Sequence, residues 1–130
     1  MSSPLHAVRL VVADDHRAFR QTVCALLVDT GEVEVVGEAR DGIEAVGVCE
    51  ATLPQVALVD IDMPGLDGIA ATRRIAERLP SVRVVICSGD LGRGRAEAAL
   101  AAGAVGVVSK DATLAELLTA VRTAARGGEP

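Results

Sequence analysis

Val56-Ala57-Leu58-Val59-Asp60-Ile61-Asp62-Met63-Pro64-Gly65-Leu66-Asp67-Gly68 decides the fold of this chain. An unbroken apolar run carries a single carboxylate, Asp60, to its end, and a Pro/Gly turn follows at once. Continuous apolar runs of this length suit a strand covered on both faces, as in a parallel sheet packed between helices. The first polar group past such a strand stands at the carboxyl edge of the sheet, where open α/β folds gather their ligands. Asp60 is therefore the first candidate functional residue.

Working outward, the same pattern recurs. Val8 to Ala13 is a short apolar run that ends in Asp14-Asp15-His16. Phe19, Val23, Leu26 and Leu27 then recur at helical spacing, and Gly31 follows where a left-handed residue commonly closes a helix. Val33 to Ala39 alternates charged and apolar residues, the pattern of an edge strand. Asp41-Gly42 leads into a second helix with Ile43 and Val46 expected to face inward, and Pro54 ends the connection to the central strand. Ile69, Thr72, Ile75 and Leu79 mark a third helix that Pro80 stops, followed by a fourth strand at Val82 to Cys87 ending in Ser88-Gly89-Asp90. Gly92 and Gly94 weaken the start of the fourth helix by about 1 kcal/mol each relative to Ala; Ala96 to Ala102 carries it to Gly103. Val105 to Val108 predicts a fifth strand, ending at Ser109-Lys110-Asp111. Thr113 with Glu116 three residues on is a capping box, and Leu114, Leu117, Leu118 and Val121 form the stripe of a last helix.

Five βα units in strict alternation predict a parallel sheet with helices on both faces. Right-handed crossovers restrict the topology. The expected architecture is a single-domain, flavodoxin-like (βα)5 doubly wound sheet with strand order 2-1-3-4-5. A length of 130 residues fits one domain with a sizeable core, built from Val, Leu, Ile and Ala because Phe19 is the one aromatic residue. No apolar run reaches membrane-spanning length, and the N-terminus lacks the order of a secretory signal, so a soluble cytoplasmic protein is expected. Cys24, Cys49 and Cys87 lie within apolar patterns and read as buried thiols. A net charge of −5 argues against this chain gripping nucleic acid by itself. Twelve arginines stand against one lysine, Lys110. The arginine pairs Arg93/Arg95 and Arg122/Arg126 read as solvated helix faces, and His16 as a polar loop residue.

In the expected topology strands one, three, four and five deliver Asp14 and Asp15, Asp60, Ser88 and Lys110 to one edge. Three carboxylates together repel, and an oxygen-only site that relieves them suits Mg²⁺. Asp60 is then placed to attack phosphorus as a carboxylate nucleophile, with Lys110 supplying fixed positive charge and Ser88 a hydrogen bond to phosphoryl oxygens. Asp14 and Asp15 could also simply cap the first helix, but their pairing with Asp60 favours metal binding, and both can hold at once.

This combination resembles the receiver domains of response regulators, the phosphoacceptors of bacterial two-component systems. The motifs are Asp14-Asp15, Asp60 with Met63-Pro64-Gly65 and Gly68, Ser88, and Lys110. Ala13-Asp14-Asp15-His16, Ala102-Gly103-Ala104, Lys110-Asp111-Ala112 and Ala125-Arg126-Gly127-Gly128 resemble the NarL/LuxR-type subfamily. The resemblance implies a receiver over 1–126, with 127–130 starting a linker to a helix-turn-helix, DNA-binding output domain outside this chain. It further implies phosphotransfer from a histidine kinase to Asp60. Mg²⁺ would be held by Asp15, Asp60 and the Asp62 backbone carbonyl, with Asp14 acting partly through water. Such a chain is not a conventional enzyme; it promotes its own phosphorylation and dephosphorylation. A phosphorylation-dependent homodimer, through the first and last helices or the fourth, and transcription regulation are the expected outputs.

Three positions depart from the pattern. Val107 stands where an aromatic switch residue is usual, and Asp111 where proline is common, so a trans bond is expected there. Gly89 leaves the site open beside Ser88. Competing readings are a phosphorylation-silent receiver acting as an interaction module, a flavin-binding domain that lacks stacking aromatics, and a haloacid-dehalogenase-like phosphatase. The last uses Asp60-Ile61-Asp62 as nucleophile and general acid, but its acid pair should come late in the chain, whereas here it comes first.

Overall fold

The computed structural model describes residues 7–127. Five strands and five helices alternate: β1 (Val8–Ala13), α1 (Arg17–Asp29), β2 (Val33–Ala39), α2 (Gly42–Thr52), β3 (Val56–Val59), α3 (Gly68–Arg78), β4 (Arg83–Ser88), α4 (Arg95–Ala102), β5 (Gly106–Ser109) and α5 (Leu114–Ala125). The strands are all parallel and lie in the order β2-β1-β3-β4-β5, as the sequence predicts. The last two strands sit one residue later than expected. That shift makes Ser88 and Ser109 the final rungs of β4 and β5, opposite each other.

The strand periodicity of two divides the core in half. Leu10, Val12, Leu58, Val85 and Cys87 face Val23 and Leu27 of α1 and Leu117, Leu118 and Val121 of α5. Their neighbours Val11, Ala13, Ala57, Val59, Val84 and Ile86 face Ala45, Val46 and Cys49 of α2, Ala71 and Ile75 of α3, and Ala99 of α4. β3 is buried at all four positions, which is why it carries no polar residue until Asp60. β2 is indeed an edge strand, and a bulge between Leu10 and Val11 in its pairing with β1 lets it twist past the helices.

Helix ends follow their sequence signals. Gly31 adopts φ +77° directly after α1, and the Thr113–Glu116 capping box forms in both directions at the start of α5. Gly94 caps α4, so that helix begins only at Arg95. Three expectations about helix faces fail. Ile43 is exposed, because Gly42, Ala45, Val46 and Cys49 form the buried face of α2. Gly42 packs against the Leu66 carbonyl so closely that no side chain fits, and this rotates Ile43 outward. Leu26 and Leu114 are also partly exposed, on facing parts of α1 and α5.

Among the described residues no helix is long and apolar enough to cross a membrane. The three thiols are free, and burial pushes Cys24 and Cys87 up to about 11 and Cys49 up to about 12, which leaves them unreactive at neutral pH. All described peptide bonds are trans, including that between Lys110 and Asp111. Of the expected linker, only Gly127 falls within the described residues.

Candidate acidic site at the carboxyl edge of the sheet

Continuations of the strand ladder set the main chain of the site. The Asp60 N–H donates to the Ala13 carbonyl at 2.9 Å, the Asp14 N–H to Ala39 at 2.9 Å, and the Lys110 N–H to Ser88 at 3.0 Å. Each polar residue is thus held one step beyond its strand by the neighbouring strand. The turn after Asp60 is tightened by the Gly68 N–H donating to the Ile61 carbonyl at 2.8 Å, with Ile61 and Met63 buried beneath it.

The side chains converge. Asp14 and Asp60 are almost fully buried, at 2% and 3% exposure, while Asp15 is open to solvent. Lys110 lies between the two buried acids, its Nζ 2.8 Å from Asp14 Oδ2 and 3.3 Å from Asp60 Oδ2. The other side of that ammonium rests over the Phe19 ring, 4.6 Å from its centroid. Burial and the Asp14 charge push the Asp60 carboxyl above the usual range, against the pull of Lys110 and of the nearby Asp62 main chain. Burial alone would lower the Lys110 ammonium, but hydrogen bonding and charge from Asp14 and Asp60 outweigh it, so Lys110 is raised and stays charged.

Asp14, Asp15, His16 and Asp60 each offer a ligand atom, and these atoms lie within 4.8 Å of one another. The carboxylates form an oxygen donor set of the kind hard divalent cations prefer. Asp60, raised by burial and by the Asp14 charge, is the group a cation would relieve. The residues therefore fit a Mg²⁺-type ion.

Ser88 is fully buried. Its hydroxyl donates to the Asp90 carbonyl and accepts from the Asp90 N–H, both at 3.2 Å, so it is at the site but turned along its own loop. A side chain on Gly89 would meet nothing closer than Lys110 Cδ at 4.0 Å, so the site is open there, as expected.

Several participants were not legible as such. His16 is more than a loop residue: its N–H donates to Asp14 Oδ1 at 2.8 Å, and Nδ1 lies 3.3 Å from oxygens of both Asp14 and Asp15. Arg20 fixes the Asp14 main chain, its Nη1 donating to that carbonyl at 2.6 Å while Nε bonds Glu38 at 2.9 Å. Arg95 is not part of a merely solvated face, because its Nη2 bonds Asp62 Oδ2 at 2.6 Å and its Nε the Asp90 carbonyl at 2.8 Å. Arg122 likewise pairs with Glu32, far from the site. The Asp62 carboxylate, engaged by Arg95 at the surface, is not poised over Asp60 as a general acid would be. The phosphatase reading loses its second catalytic group.

Residues 10–122 match the response regulator receiver domain. The chain belongs to the response regulator receiver domain family, whose members are signalling modules rather than conventional enzymes. Among individual relatives, the probable transcriptional regulatory protein NarL of Mycobacterium tuberculosis is 45% identical over 130 aligned residues, covering 98% of this chain and 59% of that protein. The transcriptional regulatory protein DegU of Brevibacillus brevis is 36% identical over 93% of this chain and 51% of its own length. This chain therefore spans between half and three-fifths of these curated relatives. The solved receiver domain of the M. tuberculosis NarL superposes with a TM-score of 0.90 at 40% identity, covering 94% of this chain and 98% of that one. The subfamily texture noted in the sequence is thus matched by NarL- and DegU-type regulators.

Proposed function

We propose that this chain accepts a phosphoryl group on Asp60 from a sensor histidine kinase and passes the signal to an output domain that regulates transcription. The observation that carries the reading is the placement of Lys110: one ammonium bridges two buried carboxylates, one of which, Asp60, ends the central strand. An Asp60 oxygen attacks phosphorus, the new P–O bond forms as the P–N bond to the kinase imidazole breaks, and the imidazole leaves with its electron pair to take up a proton. Lys110 holds its charge at one phosphoryl oxygen, and the Ser88 hydroxyl turns from Asp90 to bond another. Asp14, Asp15, Asp60 and the Asp62 backbone carbonyl would hold Mg²⁺. When bound, the ion supplies charge neutralisation to the incoming phosphoryl group. The chain promotes its own phosphorylation and hydrolysis with these groups. The open approach beside Gly89 favours rapid loss of the phosphate.

The test is intact mass after incubation with acetyl phosphate. Gain of one phosphoryl group with Mg²⁺, and none with chelator, is the expected outcome. No gain in either condition, with beryllofluoride also failing to bind, would overturn the reading.

The wider setting is cytoplasmic, with residues 1–126 as receiver and 127–130 opening a linker to a helix-turn-helix domain that contacts DNA. Phosphorylation favours a homodimer. The exposed apolar side chains Leu26 and Leu114 on α1 and α5, and Leu100 on α4, offer faces for it. Light scattering of the chain should show a mass increase on adding beryllofluoride with Mg²⁺; a monomer throughout would remove dimerisation by this domain.

A further inference from the structure

In many receivers an aromatic side chain three residues before the lysine links the site to the surface; here that place holds Val107, half-buried and without a polar end. A different connection is built instead. Arg95 is the first residue of α4, and its guanidinium reaches both loops that flank Asp60. Nη2 bonds the carboxylate of Asp62, two residues past Asp60 in the turn that follows β3. Nε bonds the carbonyl of Asp90, whose N–H and carbonyl both engage the Ser88 hydroxyl. One planar fork therefore touches the residues two positions past the nucleophile and past the hydroxyl, and its backbone begins a helix. The loop is closed further by the Arg95 N–H donating to Gly92 at 3.1 Å and the Gly92 N–H to Asp90 Oδ1 at 3.1 Å.

We propose that Arg95 is a positioning residue that couples the Asp60 carboxylate and the Ser88 hydroxyl to α4. The inference rests on the phosphoryl-transfer reading above. When Ser88 turns its hydroxyl to a phosphoryl oxygen, the Asp90 carbonyl loses one of two donors and Arg95 Nε becomes its remaining side-chain partner. When Asp60 is esterified, the turn that carries Asp62 makes room for the phosphoryl group, and the Asp62 end of the fork shifts. Both changes arrive at the same guanidinium and so at the N-terminus of α4. Lysine at this position keeps the charge near Asp62 but has no second arm for Asp90. Coupling is reciprocal, so a change that disconnects α4 must also change affinity at Asp60.

The experiment is a titration of the ¹⁵N-labelled 130-residue chain with beryllofluoride and Mg²⁺, following amide shifts in wild type, Arg95→Ala and Arg95→Lys. In wild type the changes should run from Ser88 and Lys110 through Arg95 to Ala102. In both variants the Ser88 and Lys110 changes should persist, those of α4 should be largely lost, and affinity should change by up to about tenfold, one charged hydrogen bond's worth. Matching denaturation midpoints show that the variants fold, since Arg95 is a surface side chain. An α4 response unchanged in Arg95→Ala overturns the proposal, and full rescue by Arg95→Lys overturns the two-armed contact. Failure of folded wild type to bind beryllofluoride at all instead removes the phosphoryl-transfer reading, and this coupling with it.

Discussion

Asp60→Asn is expected to abolish phosphoryl uptake from acetyl phosphate while making the metal-free protein more stable at neutral pH. The first effect follows from the carboxylate being the nucleophile: an amide oxygen of the same shape cannot form the acyl phosphate. The second follows from the electrostatics. Burial and the nearby Asp14 raise the folded-state value for Asp60 above that of the unfolded chain. Between those two values the native state holds more protons than the unfolded state, so stability falls as pH rises through that window and the penalty is fully present at neutral pH. Asn removes the charge and keeps the shape of the side chain. Lys110 retains Asp14 at 2.8 Å. The gain should vanish below the ordinary carboxylate range, where Asp60 is protonated in both states. Intact mass and denaturation at neutral and acid pH check both halves. Phosphorylated Asp60→Asn would refute the assignment, and a destabilised variant would refute the repulsion argument.

Gly68→Ala should be strongly damaging, as crowded by main-chain atoms as the same change at Gly42. A Cβ there would lie 1.9 Å from the Asp60 carbonyl oxygen and 2.8 Å from Ile61 Cα, both main-chain atoms that no rotamer change can move aside. Relief requires α3 to lift away from the end of β3, breaking the bond from the Gly68 N–H to the Ile61 carbonyl. A loss of about 3 kcal/mol is expected, which for a chain of this size lowers the unfolding midpoint by roughly 10 °C. Because the clash is with the main chain of Asp60 itself, surviving folded protein should also bind beryllofluoride more weakly. Gly65→Ala, at φ +73° with open space around it, isolates backbone strain from crowding and should cost much less. Calorimetry of the two variants decides this.

The contrast explains what was legible in the sequence. Strand order and the meeting of Asp14, Asp60 and Lys110 follow from the apolar runs of β1, β3, β4 and β5, each ending in a polar group, and from the alternation that marks β2 as an edge. The face of α2 is not legible from hydrophobicity because its inward side is made of Gly42, Ala45, Val46 and Cys49, while its most hydrophobic candidate, Ile43, faces water. Close approach selects small residues there, and hydrophobicity ranks them low. Arg95 read as solvated because its partner Asp62 lies 33 residues away, a separation that carries no periodicity. His16 reads as a loop residue because a side chain next to two acids looks the same in sequence whether or not it leans on them. The position of Ser88 could be inferred, but the direction of its hydroxyl depends on a loop whose internal bonds have no sequence signature.

Phe19 is the one aromatic residue in the sequence, and the Lys110 ammonium sits above its ring. The chain therefore has no indole or phenol to fluoresce, and light reveals little of what the site does. Magnetically the position is reversed. The circulating electrons of this single phenyl ring shield the terminal methylenes of the single lysine, and no other benzene ring exists to confuse the shift. The residue that would grip the phosphoryl group carries its own unlabelled proximity gauge, and each ångström it moves from Phe19 toward Asp60 is written in its proton spectrum.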